Sequence, residues 1–152
     1  MGPVAGPHLR VADVTAVAGQ RRDDRVALVS LLENGERREI TYADLYRRVA
    51  QLASSLRAQG VVTGDRVAGF MPNVEETVIA MLAATSIGAV WSSCSPDFGL
   101  NGVMDRFGQI EPAVLIVADG YRYNGKEIPL EGTIAAVLDG IPSPRAVLVI
   151  DY

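Results

Sequence analysis

The sequence predicts an α/β fold in which strands and helices alternate and a mostly parallel sheet is covered by helices on its faces. Three observations predict it. Short apolar runs at 66–71, 89–92, 114–118 and 146–150 are separated by segments of helical periodicity. The joints between them are short and marked by glycine or proline, and no internal repeat or low-complexity tract competes. With 152 residues, 49% of them hydrophobic and 21% charged, the chain is long enough to bury a core without disulfides or a structural metal.

Taken in order, residues 1–25 are rich in Gly, Pro, Arg and Asp and read as a loosely ordered lead-in to an α/β subdomain over 26–152. Val26 to Leu32, the turn Glu33-Asn34-Gly35-Glu36 and Ile40 predict a β-hairpin. Thr41 and Asp44 form an N-capping arrangement ahead of Leu45, Val49, Leu52, Ala53 and Leu56, which recur at helical spacing until Gly60. The opposite face of that helix, Arg47, Arg48, Gln51, Ser54 and Arg57, is expected to be simply solvated. The strand at 66–71 stops at Pro72, and Asn73 is expected to cap a second helix whose first turn holds Glu75 and Glu76. From Val78 to Ile87 that helix is nearly apolar all round, so several of its sides must be covered. A strand at 89–92, a helix at 100–109 and a strand at 114–118 follow. A polar loop at 119–127, a helix at 133–138 and a strand at 146–150 complete the pattern.

Charge and cysteine content exclude several classes. Lys plus Arg total 14 against 18 Asp plus Glu, a net charge of −4 and a pI near 4.9, which argues against a general nucleic-acid binder. Cys94 has no partner for a disulfide and no paired-thiol metal spacing exists, so a reducing cytoplasm is expected. Pro3, Pro7 and His8 break any secretory core, and Gly6 stands where myristoylation wants Ser or Thr. The stretch Val78 to Trp91 is interrupted by Thr85, Ser86 and Gly88 and is shorter than the roughly 20 residues of a membrane span, so no membrane partner is expected.

Ligands of such sheets bind outside the carboxyl ends of the strands. Three loops fall there, Pro72-Asn73, Ser92 to Gly99 and Asp119 to Lys126, and the last two carry candidate chemistry. Gly120-Tyr121-Arg122-Tyr123-Asn124-Gly125-Lys126 formally satisfies the G-x-x-x-x-G-K pattern of a phosphate-cradling loop. Glu127, however, occupies the position of the magnesium-ligating Ser or Thr, and Tyr-Arg-Tyr is bulky for a loop that wraps phosphates. Three readings stand: a nucleotide-hydrolase loop, a solvated surface loop, and a site where Arg122 and Lys126 supply charge to a phosphorylated ligand. The other segment, Trp91-Ser92-Ser93-Cys94-Ser95-Pro96-Asp97-Phe98-Gly99, clusters small hydroxyls after a strand and suits the lining of a cleft. Cys94 lacks a nearby base, since the only histidine is His8, and reads as an inert buried thiol. Trp91 reads as core or as a flat-ring neighbour.

The motifs Gly64-Asp65-Arg66-Val67, Pro72-Asn73, Ile87-Gly88-Ala89-Val90-Trp91-Ser92-Ser93, Ser95-Pro96-Asp97-Phe98-Gly99, Asp105-Arg106-Phe107, Gln109-Ile110-Glu111-Pro112 and Tyr123-Asn124-Gly125-Lys126 resemble the amino-terminal region of acyl-CoA synthetases of the adenylate-forming superfamily. The Trp-Ser-Ser-x-Ser-Pro-Asp-Phe-Gly and Asp-Arg-Phe-x-Gln-Ile-Glu-Pro pieces narrow the resemblance to its acetoacetate-activating branch. The resemblance implies part of the large amino-terminal domain of an enzyme using ATP, coenzyme A and Mg2+. Such an enzyme joins acetoacetate, or a related short acid, to AMP and then transfers the acyl group to coenzyme A. It also implies that Trp91, Ser92 and Ser93 lie beside coenzyme A and that Arg122 and Lys126 meet its ribose phosphate. No catalytic or metal-binding residue is expected here. The phosphate loop, the ribose-binding carboxylate and the adenylation lysine belong to the remainder of the synthetase, so the chain alone is expected to be inactive. A non-catalytic α/β module that binds a nucleotide or a partner is the alternative, and a phosphate-loop hydrolase the second.

Overall fold

The computed structural model describes residues 21–152. A first hairpin, β1 (Val26–Leu31) and β2 (Arg37–Thr41), leads into α1 (Tyr42–Ala58), β3 (Arg66–Phe70), α2 (Glu75–Ser86) and β4 (Val90–Cys94). A 3-10 turn (Pro96–Phe98), α3 (Gly99–Ile110) and β5 (Val114–Ala118) come next. A second hairpin, β6 (Gly120–Tyr123) with β7 (Lys126–Pro129), precedes α4 (Glu131–Gly140) and β8 (Ala146–Ile150). Most of the expected lead-in, 1–25, lies outside the described residues; its last part, 21–25, carries no helix or strand.

Four strands form the sheet in the order β4-β3-β5-β8, all parallel. Every residue of β5 is buried, as an unbroken apolar run covered on both faces requires. Alternation divides the core. Val67, Val114 and Ile116 join Ala53 and Leu56 of α1 and Ala80, Ala83 and Ala84 of α2 on one face. Ala68, Phe70, Leu115 and Val117 meet Val103 and Phe107 of α3 and Val137 of α4 on the other. The β3-to-β4 connection runs over the first face, while those from β4 to β5 and β5 to β8 cross the second in the opposite direction, so the connections keep one hand. The β1–β2 hairpin packs Leu28 and Ile40 onto Leu45, Ile79 and Leu82 of the first helix layer.

The first helix starts as expected: the Thr41 hydroxyl accepts the Asp44 N–H at 3.1 Å. Two expectations need correction. The residue capping α2 is Val74 rather than Asn73, and it offers no side-chain acceptor; instead the Thr77 hydroxyl donates to the Pro72 carbonyl at 2.7 Å. The basic face of α1 is not merely solvated either. Arg48 pairs with Glu76 in the first turn of α2 and ties the two helices together.

The amino ends of the strands are held by arginines. Arg66 donates to the carbonyls of Ile110 and Glu111 at 2.7 and 3.0 Å. Arg145 donates to the carbonyls of Gln59 and Gly60 at 3.0 and 2.8 Å and to the Asp65 carboxylate at 2.6 Å. Replacing Arg145 by alanine removes the donor from two carbonyls at the end of α1 and should cost about 1–2 kcal/mol in urea unfolding at pH 7. Arg145, together with the Val62 N–H, holds the Asp65 carboxyl below its ordinary 3.8. The contribution of that ion pair is therefore complete above the unfolded value and lost as pH falls through the lower folded value. The deficit of Arg145→Ala should shrink correspondingly in acid, which unfolding curves at pH 7 and pH 3 would measure.

Candidate functional site

Chain direction across the sheet reverses between β3 and β5, and the crevice at their carboxyl ends is where an open parallel sheet receives ligands. The loop after β3, Met71 to Val74, and the β6–β7 hairpin after β5 border it, with the end of β4 beside them. The amino end of α2 is taken by its own carboxylates, Glu75 and Glu76, which leaves it poorly suited to an anion. Glu75 is buried, with Arg38 Nη1 3.9 Å away.

The expected cleft-lining segment is partly strand: β4 continues through Cys94, placing Ser92 and Ser93 within it. An end strand of the sheet accepts serines because only one of its edges pairs. In register with Val67, Trp91 lies on the α1–α2 face; Ser93 follows on that face, and Ser92 and Cys94 take the other. The Trp91 indole crosses β3 over Gly69, where a Cβ would come within 2.5 Å of the ring. It is thus half-buried core against β3 as well as a neighbour of the rim. Burial pushes the Cys94 thiol above its ordinary value, in keeping with an inert role.

The segment read as a polar loop or phosphate cradle is a tight β-hairpin. Asn124 and Gly125 both take positive φ, 51° and 72°, and connect the paired residues Tyr123 and Lys126 in a two-residue turn. Lys126 opens a strand, whereas a phosphate-cradling loop delivers its lysine to a helix start, so the nucleotide-hydrolase reading is withdrawn. Opposed residues of a hairpin share a face. Arg122 with Glu127 therefore occupies one face, and Tyr121, Tyr123, Lys126 and Ile128 the other. The two cations are not brought together. Arg122 is ion-paired with Glu127 and turned towards the β1–β2 hairpin, sharing a cavity lining with Asn34, Glu36 and Arg38.

The opposite face looks towards the end of β4. Tyr121 packs on the cluster containing Phe70 and Cys94, and its phenol faces the Asp97 carboxylate, which accepts the Ser95 hydroxyl at 3.2 Å. Burial first, then the Asp97 charge, raises the Tyr121 phenol. Beyond Tyr121 the same face carries Tyr123, 61% exposed, and Lys126, the only lysine in the sequence. Sequence reading missed Tyr121 and Tyr123; the signal was Asn124-Gly125 flanked by period-two alternation. Among the described residues no cluster of His, Cys, Asp or Glu is arranged to hold a metal.

Comparison with known proteins decides the family: the model for "AMP-binding enzyme" matches residues 14–152. The chain belongs to the AMP-binding enzyme family. It is 48% identical over 133 residues to the acetoacetyl-CoA synthetase of Xenopus tropicalis, covering 87% of this chain and 20% of that protein. Identity to the acetoacetyl-coenzyme A synthetase of Rhizobium meliloti (strain 1021) is 50% over 109 residues, 72% of this chain and 17% of that one. The solved acetoacetyl-CoA synthetase from Streptomyces lividans superposes with a TM-score of 0.87 at 46% identity, covering 94% of this chain and 22% of that structure. This AMP-binding-family chain thus spans about one fifth of the length of the curated relatives it matches. The expected α/β architecture and the family resemblance both hold. No helix among the described residues is long and apolar enough to cross a membrane.

Gly69→Ala provides a test of the Trp91 placement. Its methyl must displace the indole, so the emission of the chain's only tryptophan should shift and stability fall by about 1–3 kcal/mol. Unchanged fluorescence would refute the stacking of the ring on β3.

Proposed function

We propose that this chain is the amino-terminal part of a longer acid–thiol ligase that activates acetoacetate with ATP and passes the acyl group to coenzyme A. The match in sequence and fold to the Streptomyces lividans acetoacetyl-CoA synthetase, 46% identical at a TM-score of 0.87, carries this reading. ATP and Mg2+ serve the first half-reaction, which needs groups that offset charge on the transferring phosphates. The G-x-x-x-x-G-K pattern of this chain folds as a hairpin and so does not supply such a phosphate cradle. We infer that the chain alone, apart from the rest of such a ligase, catalyses neither half-reaction. Purified protein should show no ATP–pyrophosphate exchange above background; measurable exchange would overturn the reading.

The contribution of the chain is on the coenzyme side. Coenzyme A, when bound, supplies the thiol that accepts the acyl group and a ribose phosphate that seeks a cation. Lys126 provides an exposed ammonium on the hairpin face whose base, Tyr121, packs with Cys94 at the end of β4 and faces Asp97, and Tyr123 beside it offers an aromatic face. Arg122, neutralised by Glu127 on the far face, supports the hairpin more than the ligand. In the full-length synthetase, Lys126→Ala should raise the KM for coenzyme A by roughly tenfold, the loss of one charge-assisted contact. Arg122→Ala should raise it less, and both should leave ATP–pyrophosphate exchange intact. Equal and negligible effects would exclude the hairpin from the coenzyme site.

A further inference from the structure

The β6–β7 hairpin is anchored at its base and poorly supported at its tip. At the base, the Leu130 N–H donates to the Asp119 carbonyl at 2.8 Å and Tyr121 packs into the core. At the tip, a Cβ added to Gly125 meets nothing within 4 Å, so that side of the turn is open. Cavities of about 580 Å³ and 390 Å³ separate the hairpin from the β1–β2 turn, the first lined by Leu32, Arg38, Asp119 and Tyr152 among others, the second by Glu33, Asn34 and Arg122. Across this gap a single hydrogen bond joins the two turns: the Asn124 N–H donates to the Glu33 carboxylate. Glu33 comes from a segment 91 residues earlier, so the bond is tertiary and sets where the tip stands.

We propose that Glu33 is a positioning residue for coenzyme A, holding the tip of the β6–β7 hairpin so that Lys126 and Tyr123 face the end of β4. The inference rests on the coenzyme reading given above. Lys126 lies two residues beyond Asn124 and opposite Tyr123 in the hairpin register, so the tip cannot swing without carrying both. Around the tie, the Arg122 charge acts on Glu36, which Arg38 and Asn34 also engage, and Arg122 pairs with Glu127. These contacts brace the sides of the two hairpins, whereas Glu33 alone reaches the backbone of the turn.

The test uses the full-length synthetase. Glu33→Ala should raise the KM for coenzyme A roughly fivefold, the equivalent of one hydrogen bond, with ATP–pyrophosphate exchange unchanged. Amide hydrogen exchange at 124–126 should accelerate in the same variant. Glu33→Gln keeps an acceptor oxygen and should restore most of the KM and the protection. An unchanged KM in Glu33→Ala, or equal damage from Glu33→Gln, overturns the proposal. Lys126→Ala separates the two levels. If it raises the KM while Glu33→Ala does not, only the positioning role has failed. If Lys126→Ala leaves the KM unchanged although Glu33→Ala loosens the hairpin, the coenzyme reading has failed and the positioning role with it.

Discussion

The complete burial of β5 constrains the rest of the molecule. A strand with no solvated residue must have a helix layer on each side and a paired strand at each edge, and the chain supplies both from segments that precede and follow it. The reversal of direction needed to place β3 on one side and β8 on the other opens the crevice at the carboxyl ends. The position of the candidate site is thus a consequence of covering five apolar residues, Val114 to Ala118, rather than a separate invention.

At that crevice the chemistry is divided between two surfaces of one small hairpin. Its outer surface is spent on support, with Arg122 neutralised by Glu127 and the turn bound to Glu33. The inner surface continues from core to solvent in one line: Tyr121 among apolar residues, then Tyr123 and Lys126 in the open. The arrangement converts the period-two geometry of a strand into a sorting device, sending structural charge one way and available charge the other.

Much of this was legible in the residues. The Thr41–Asp44 cap, the apolar rows of α1 and α2, and the strands at 66–71, 114–118 and 146–150 follow from local periodicity and capping, which act over a few positions. What escaped depended on competition or distance. The pattern Gly120 to Lys126 satisfied a phosphate-loop formula and concealed the Asn124-Gly125 turn, so residues counted as one cation pair lie on opposite faces. Asn73 is a good capping residue placed one position too early, and the pairings of Arg48 with Glu76 and Asn124 with Glu33 join segments 28 and 91 residues apart. No local rule links such positions. The predicted strand stops at Ser92, leaving Ser93 and Cys94 to the loop, because propensity averages over central and marginal strands alike.

β8 ends the sheet, and its consequence concerns association. Ala146-Val147-Leu148-Val149-Ile150 is apolar throughout, pairs with β5 on one side only, and leaves Val149 60% exposed. Among the described residues no strand pairs with its outer edge, and the strand carries no proline or charge. An unpaired apolar margin of this kind has the hydrogen-bonding geometry that strand addition requires.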